Sequence, residues 1–291
     1  MKDRKQVMEK LEGAVAIVTG GASGIGFALA ERFAIEKMKV VIADIEDRAL
    51  EEAVAKLRAT TPDVIGVKTD VADEAAVERL ADETVKRFGK VNVLCNNAGV
   101  QRSAATWQLS AREWKWLLDV NLTGVANGVR AFVPRMLAQG DPCHVVNTAS
   151  FGGLVTAPFM SAYTATKYAV VAISETMRAE LHGTNVGVSV LCPAFVKTRL
   201  GDAERNRPAE LDAGLSAEDV EVRRSIGKGA SALVEGGVST DVVVKCVLDA
   251  LHRNRLYIIT HPEQIGAFKK RSDAILRAAA DAEALLADPT R

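Results

Sequence analysis

The sequence predicts an α/β protein built on one doubly wound parallel sheet of about seven strands flanked by helices. Short runs rich in Val and Ile recur along the 291 residues, and longer segments with helical periodicity separate them. The runs are continuously apolar, which is typical of strands buried on both faces. Because strand and helix alternate, we expect the strands to pair in parallel through right-handed crossovers.

The elements follow from this alternation in chain order. The predicted strands are residues 14–19, 40–44, 64–69, 91–95, 144–148, 187–191 and 256–259. Apolar residues spaced three and four apart predict helices at 26–37, 47–58, 73–88, 111–138 and 162–182. We expect these elements to form one domain over 1–291.

The alternation breaks once, from about residue 201 to 230, where charges, glycine and proline crowd. Such a segment is most often a solvated loop, but its position late in the sheet makes a substrate lid the alternative. An alanine-rich helix at about 263–286 follows, and we expect it to pack on a neighbouring subunit.

Composition and charge exclude several classes of protein. Thirty-seven Lys and Arg balance 37 Asp and Glu, so nothing favours nucleic acid or an anionic membrane surface as a partner. Apolar stretches such as 187–196 are too short to span a bilayer, and the charged first ten residues lack a signal-peptide core. The four cysteines show no metal-ligand spacing. We therefore expect a cytoplasmic protein without a metal site.

A glycine-rich turn follows the first predicted strand. Residues 19–26 are Thr-Gly-Gly-Ala-Ser-Gly-Ile-Gly and lead directly into a helix. Glycines there allow a tight turn and close approach of a pyrophosphate, which the free N–H groups of the helix start attract. Such turns also occur for steric reasons alone. The strand before, the helix after and an acid on the next strand favour a Rossmann-type dinucleotide site.

That acid is Asp44, which ends the second strand 18 positions after Gly26. A carboxylate there accepts both hydroxyls of the adenosine ribose and repels a 2′-phosphate. No basic residue follows at 45–47, and Ser23 rather than Arg or Lys precedes Gly24. The sequence therefore favours NAD over NADP, although a helix cap is the alternative role for Asp44.

Tyr163 and Lys167 stand four residues apart, hence on one face of a predicted helix. A neighbouring ammonium favours the phenolate, so we expect Lys167 to lower the pKa of Tyr163 from its ordinary value of about 10. A phenol with a lowered pKa serves for proton transfer. By itself, however, this spacing is common on exposed helices.

Taken together, these residues resemble the short-chain dehydrogenase/reductase family. The resemblance rests on the turn at 19–26, on Asn96-Asn97-Ala98-Gly99, on Asn121, on Ser150 thirteen positions before Tyr163, and on Tyr163-x-x-x-Lys167. It covers about 13–199 by motif and reaches 262 by the alternation of strand and helix. The blocks 120–136 and 256–263 are further similar to bacterial dehydrogenases that act on benzylic alcohols of aryl ethers.

The resemblance implies an oxidoreductase that moves a hydride between a secondary alcohol, or its ketone, and NAD. Tyr163 would be the general acid/base, and Lys167 would lower its pKa and hold the nicotinamide ribose. Ser150 would bind the substrate oxygen, and Asn121 would hold a water that links Lys167 to solvent.

The resemblance also implies a set of cofactor contacts at the ends of the strands. Asp70 and Val71 would contact the adenine, and Thr198 would bind the carboxamide. The full set is Gly20, Ser23, Gly24, Ile25, Gly26, Asp44, Ile45, Asp70, Val71, Asn97, Ala98, Gly99, Tyr163, Lys167, Pro193, Val196 and Thr198.

Substrate contacts are predicted from their position next to these motifs, at Gln101, Arg102, Phe151, Phe159 and Phe195. The three phenylalanines favour an apolar or aromatic small-molecule alcohol, with core packing as the alternative. Arg102 would pair with an acidic substrate group, but a solvated loop arginine is the preferred interpretation.

The sequence leaves three alternative functions: an NADP-dependent ketoreductase of the same family, a non-catalytic NAD sensor, and a methyltransferase. A pure binder does not need Asn121, Ser150, Tyr163 and Lys167 together, and the Tyr–Lys pair has no role in methyl transfer. The helices at 111–138 and 162–182 resemble those that join subunits in the family, so we expect a homodimer or homotetramer.

Overall fold

A computed structural model describes residues 6–208, 211 and 234–287. Its seven strands form a single sheet in the order β3-β2-β1-β4-β5-β6-β7, and each pairing is parallel. The strands are β1 (Val15–Thr19), β2 (Lys39–Asp44), β3 (Val64–Lys68), β4 (Val93–Asn96), β5 (Cys143–Thr148), β6 (Val186–Cys192) and β7 (Tyr257–Ile259). The predicted doubly wound sheet is confirmed.

Helices cover both faces of this sheet. They are α1 (Gly24–Ile35), α2 (Asp47–Arg58), α3 (Glu74–Phe88), α4 (Ala111–Leu118), α5 (Gly124–Gln139), α6 (Ser161–Glu180) and α7 (Thr240–Arg253). A last helix, α8 (Ile265–Ala287), follows near the end of the chain. Leu29 and Phe33 of α1 belong to one buried apolar cluster, and Leu80 of α3 and Phe132 of α5 belong to another. The strands are apolar on both sides because each side meets one of these clusters.

The order in which the chain adds strands to the sheet reverses beside β1. Thr19 on β1 pairs with Ala43 of β2, while Val18 pairs with Cys95 of β4 on the other side. From β1 the chain runs outward through β2 to β3, and it then crosses back to place β4 on the other side of β1. The connections on the two sides of β1 therefore diverge and leave a crevice outside the carboxyl ends of the strands. Ligands of doubly wound sheets bind in such a crevice.

The segment predicted as one helix at 111–138 is helical from Ala111 to Gln139, but it is not a single regular α-helix. The structure divides it into α4, a π-helical turn at Asp119–Thr123, and α5. The turn holds Asn121, whose side chain is fully buried. Single π-helical turns inside helices are frequent at functional sites, because the extra residue re-aims one side chain. Helix α7 is a further element that the periodicity argument did not name.

The late part of the chain is described only in part. Of the predicted loop or lid at 201–230, Arg199–Asn206 forms 3₁₀ turns, and the stretch from 209 onward lies outside the described residues except for Leu211. The chain divides into two compact units, Met1–Thr260 and His261–Arg291. The second contains α8, where a helix was predicted, and the expectation of one domain stays a prediction.

The cysteines are free thiols, and Cys95, Cys143 and Cys192 are buried in the sheet while Cys246 is half-buried. Among the described residues, no helix is long and apolar enough to cross a membrane. The same part of the chain holds no cluster of three or more His, Cys, Asp or Glu side chains placed to bind a metal ion.

Candidate active site

A cavity of about 380 Å³ opens at the carboxyl ends of the strands. It is lined by every residue of the predicted cofactor set except Gly26, and Ser150 lines it together with Tyr163 and Lys167. Asn121 and the five predicted substrate residues are not part of its wall. The parallel sheet thus brings together residues that lie as far apart in the chain as Gly20 and Thr198.

The glycine turn needs its glycines for two different reasons. Gly20 and Gly24 have φ angles of +62° and +55°, a backbone region that favours glycine. Gly26 instead lies beneath the turn, where an added Cβ would stand 2.1 Å from the carbonyl oxygen of Gly20. Gly26 therefore permits the close packing of α1 on the turn rather than contact with a ligand. Helix α1 begins after Ser23 without a side-chain cap, so its first N–H groups are open to an anion.

Asp44 ties the glycine turn to the loop after β2. Its Oδ2 accepts a hydrogen bond from the amide of Ala22 at 3.0 Å, and its Oδ1 accepts one from the amide of Glu46 at 3.2 Å. The N-cap of α2 is Glu46, so the structure does not use Asp44 as a helix cap. The carboxylate stays on the cavity wall with only 8% of the residue exposed.

Tyr163 and Ser150 meet at the other end of the cavity. The Ser150 hydroxyl donates to the carbonyl oxygen of Pro193 at 3.4 Å and accepts a bond from the amide of Gly152 at 3.0 Å. Burial raises the pKa of Tyr163, and the hydrogen bond with Ser150 opposes that rise. Lys167 was expected to lower the pKa of Tyr163, but the structure raises it, because desolvation of the phenolate dominates.

Lys167 is a buried cation one helical turn beyond Tyr163. Its Nζ lies 5.6 Å from the centroid of the Tyr163 ring and donates to the carbonyl oxygen of Thr148 at 2.9 Å. Burial lowers the pKa of Lys167 to about 8. A lysine with that pKa exchanges its proton near neutral pH, which an exposed lysine does not.

Asn121 braces the wall behind these groups. Its Oδ1 accepts from the amide of Val100 and its Nδ2 donates to the carbonyl of Val100, each at 2.8 Å. The same Nδ2 donates to Thr166 Oγ1 at 3.3 Å. A Cβ added at Gly99 would stand 3.3 Å from Asn121 Oδ1 and 3.6 Å from Lys167 Nζ. Asn121 therefore links the segment after β4 to α6 close to the lysine.

Comparison with known proteins decides the family. A family model described as "short chain dehydrogenase" matches residues 14–209. The chain belongs to the short-chain dehydrogenases. The family acts on small molecules with a nicotinamide cofactor, so this chain is an oxidoreductase of that type.

Individual relatives match most of the length of this dehydrogenase. A C alpha-dehydrogenase from a Sphingobium species is 34% identical over 277 residues, 95% of this chain and 90% of that protein. A 1-deoxy-11-beta-hydroxypentalenate dehydrogenase from Streptomyces exfoliatus is 41% identical over 213 residues, 72% of this chain and 78% of that protein. The first match confirms the second resemblance predicted from the sequence.

A solved short chain dehydrogenase/reductase from Burkholderia phymatum, in complex with NAD, has a similar fold. Its TM-score to this dehydrogenase is 0.88 at 40% identity, covering 97% of this chain and 98% of that one.

The interpretation of Arg102 as a solvated loop residue was wrong. Its side chain is 6% exposed and donates through Nε to Oε1 of Glu113 at 3.0 Å, and Glu113 is fully buried. Glu113 also receives the amide and hydroxyl of Ser110 at the start of α4. The charge of Arg102 is thus used inside the fold, where it holds the loop after β4 on α4.

The three predicted phenylalanines lie in different surroundings. Phe151 is buried in an apolar cluster with Val170, as the alternative of core packing supposes. Phe159 and Phe195 are 47% and 39% exposed, and Gln101 is half-buried. Phe159 also has a φ of +65°, which is unusual for a bulky residue.

Sequence reasoning missed a contact at the Asp44 end of this dehydrogenase's cavity. Glu46, Arg205 and Asn206 all line the cavity, and both later residues bind the Glu46 carboxylate. In the sequence, Glu46 contributes only to the observation that no basic residue follows Asp44. The sequence carries no local signal for this contact, because the partners are far apart in the chain.

Proposed function

We propose that this short-chain dehydrogenase oxidises an apolar or aromatic secondary alcohol, or reduces the matching ketone, with NAD as its cofactor. One observation carries the proposal: a single cavity is lined by Asp44 and the glycine turn at one end and by Ser150, Tyr163 and Lys167 at the other. A ligand that uses all of these features has an anionic group for the glycine turn and a sugar with free hydroxyls for Asp44. At its other end it has a reacting group that reaches Ser150, Tyr163 and Lys167.

The residues present fit NAD. Gly20 and Gly24 expose bare backbone to a pyrophosphate, and Asp44 offers its carboxylate to the adenosine ribose. The negative charge of Asp44, with Glu46 beside it, opposes a 2′-phosphate, which supports NAD over NADP. The relative solved with NAD supports the same choice. When bound, the nicotinamide supplies the position that accepts or gives the hydride.

The chain's own residues then handle the proton. Tyr163 takes the proton of the alcohol oxygen during oxidation and returns one during reduction. Ser150, which lines the same end of the cavity as Tyr163, donates to the same substrate oxygen and stabilises its developing negative charge. Lys167, held on the carbonyl of Thr148, supplies positive charge beneath the phenol, and Asn121 with a bound water completes the path to solvent.

The substrate class rests on the relatives and on the exposed aromatic residues. Two matched relatives are named a C alpha-dehydrogenase and a 1-deoxy-11-beta-hydroxypentalenate dehydrogenase. Phe159 and Phe195 present apolar surface to solvent close in sequence to Tyr163 and Pro193. Apolar side chains so placed favour a carbon-rich substrate over a polyol.

The test compares wild type with Tyr163→Phe on a panel of aliphatic and benzylic secondary alcohols, followed by NADH absorbance. We expect the variant to lose turnover by about 100-fold or more while it binds NAD as wild type does. Tyr257→Phe is the matched control, because the hydroxyl of Tyr257 lies outside the cavity wall and binds Glu175. Full turnover by Tyr163→Phe contradicts the mechanism. Tight NAD binding by a wild type that turns over no alcohol favours a sensor.

A further inference from the structure

Helix α8 is exposed along its whole length. It has no buried residue, yet it carries large apolar side chains that are between 36% and 86% exposed: Ile265, Phe268, Ile275, Leu276, Leu285 and Leu286. A helix in water normally buries an apolar face against another element. The described residues of its own unit, His261–Arg291, leave this face uncovered, so a partner element is expected to cover it.

The apolar residues of α8 follow the spacing of a coiled coil. Steps of three and four residues alternate through Ile265, Phe268, Ser272, Ile275, Ala279, Ala282 and Leu286. All but Ser272 are apolar, and the stripe runs the length of the helix. Alternating steps of three and four keep a stripe facing one partner helix, so the expected partner is another helix.

Charges beside this stripe indicate the direction of the partner helix. Lys269, Leu276 and Glu283 occupy one row at seven-residue intervals. A second copy of α8 turned end over end about Leu276 places its Glu283 beside Lys269, and its Lys269 beside Glu283. In a parallel pair, Lys269 and Glu283 would instead face the uncharged Gln264 and Ala278. The row is therefore complementary to itself only in the antiparallel direction.

We propose that α8 pairs antiparallel with α8 of a second copy of this chain, through the apolar stripe and two Lys269–Glu283 ion pairs. The alanines at 279 and 282 let the two backbones approach closely. Exposed ion pairs add little affinity, but they select the direction of pairing. A 23-residue helix is only about 35 Å long, so this contact adds to other surfaces of the proposed homo-oligomer.

The test uses full-length protein and a short bis-maleimide cross-linker. Leu276→Cys places a thiol at the two-fold axis of the pair, so we expect efficient cross-linking to a covalent dimer. Ile265→Cys is the control, because antiparallel pairing separates its two copies by about 30 Å. Wild type reports any background from Cys246, the half-buried native thiol.

Charge variants in the Leu276→Cys background test the direction. We expect Lys269→Glu or Glu283→Lys alone to lower the cross-linked fraction several-fold, and the double variant to restore it. NAD binding and thermal unfolding confirm that each variant is folded. Three results overturn the proposal: no cross-link at Leu276→Cys, equal cross-linking at Ile265→Cys, or a double variant as poor as either single one.

Discussion

Arg205 donates through Nε to Oε1 of Glu46 at 2.9 Å, and this bond ties the segment after β6 to the loop after β2. Asn206 donates to the same oxygen at 2.9 Å. Burial raises the pKa of Glu46, but the hydrogen bonds from Asn206 and Arg205 outweigh it and leave that pKa below its ordinary value. The carboxylate is therefore ionised at neutral pH, and it neutralises Arg205 beside Asp44 on the cavity wall.

Removing the negative charge of Glu46 is expected to weaken the preference of the enzyme for NAD over NADP. Glu46→Gln keeps the size of the side chain and deletes one negative charge from the cavity wall beside Asp44, which weakens the repulsion of a 2′-phosphate. A partly exposed ion pair corresponds to about 1 kcal/mol, so the ratio of kcat/KM for NAD to NADP should fall about fivefold. Glu52→Gln is the control, since Glu52 pairs with Arg48 on the exposed side of α2. An equal change in both variants would contradict a local effect.

Lys167→Met is expected to stabilise the protein at neutral pH while it abolishes activity. Lys167 is 3% exposed, and burial lowers its pKa to about 8 from an ordinary 10.5. The unfolded chain binds more protons between these values, so wild-type stability rises as pH increases from about 8 to 10.5. At pH 7 the methionine variant should be more stable by up to about 3 kcal/mol, less the lost bond to Thr148.

Urea unfolding of wild type and Lys167→Met across that pH range is the measurement. The difference between them should shrink toward high pH. Lys115→Met, an exposed lysine on α4, should show no such trend. A difference that stays constant with pH would show that Lys167 does not titrate inside the fold.

Arg102→Met is expected to destabilise the fold strongly, because it removes a positive charge that is paired with the fully buried carboxylate of Glu113. Breaking a buried pair from one side costs about 3–5 kcal/mol. Adding Glu113→Gln should recover much of that loss, and Arg135→Met should cost far less because Arg135 pairs with exposed carboxylates. Urea unfolding measures all three. Unchanged stability with a raised KM for an acidic substrate would instead assign Arg102 to the substrate.

Phe159→Gly is expected to separate stability from specificity. At a φ of +65° a phenylalanine is strained, and the side chain is 47% exposed, so glycine should raise the free energy of unfolding by up to about 1 kcal/mol. If Phe159 contacts substrate, kcat/KM for benzylic alcohols should fall relative to aliphatic ones. Lys37→Gly is the control, because Lys37 has a φ of 59° just beyond α1 and should gain stability alone. A loss equal for all alcohols would argue against substrate contact.

The sheet was predictable because its signal is local. Continuous runs of Val and Ile gave all seven strands to within two residues, and the strand–turn–helix context placed the glycine turn and Asp44 on one edge. Parallel pairing then brings the carboxyl ends together, so motifs far apart in sequence reach one cavity without any further information.

The remaining features depend on contacts that periodicity does not contain. The π-helical turn at Asp119–Thr123 adds one residue to a helical turn, and the side-chain pattern of 111–138 continues through it. The pairs Glu46–Arg205 and Arg102–Glu113 form across loops whose approach is set by the folded sheet. The predicted lowering of the Tyr163 pKa was wrong for the same reason. The spacing reveals the nearby Lys167, but it does not reveal the burial that raises this pKa.

The buried thiols of the sheet have a consequence for oxidative stress. Burial raises the pKa of Cys95, Cys143 and Cys192 to about 12 each. Since peroxide attacks the thiolate, and only about one such group in 10⁵ is ionised at pH 7, these cysteines should be inert toward it. Thiol oxidation should then be confined to the half-buried Cys246. Hydride transfer should survive a peroxide dose that disables enzymes whose activity needs an exposed thiolate.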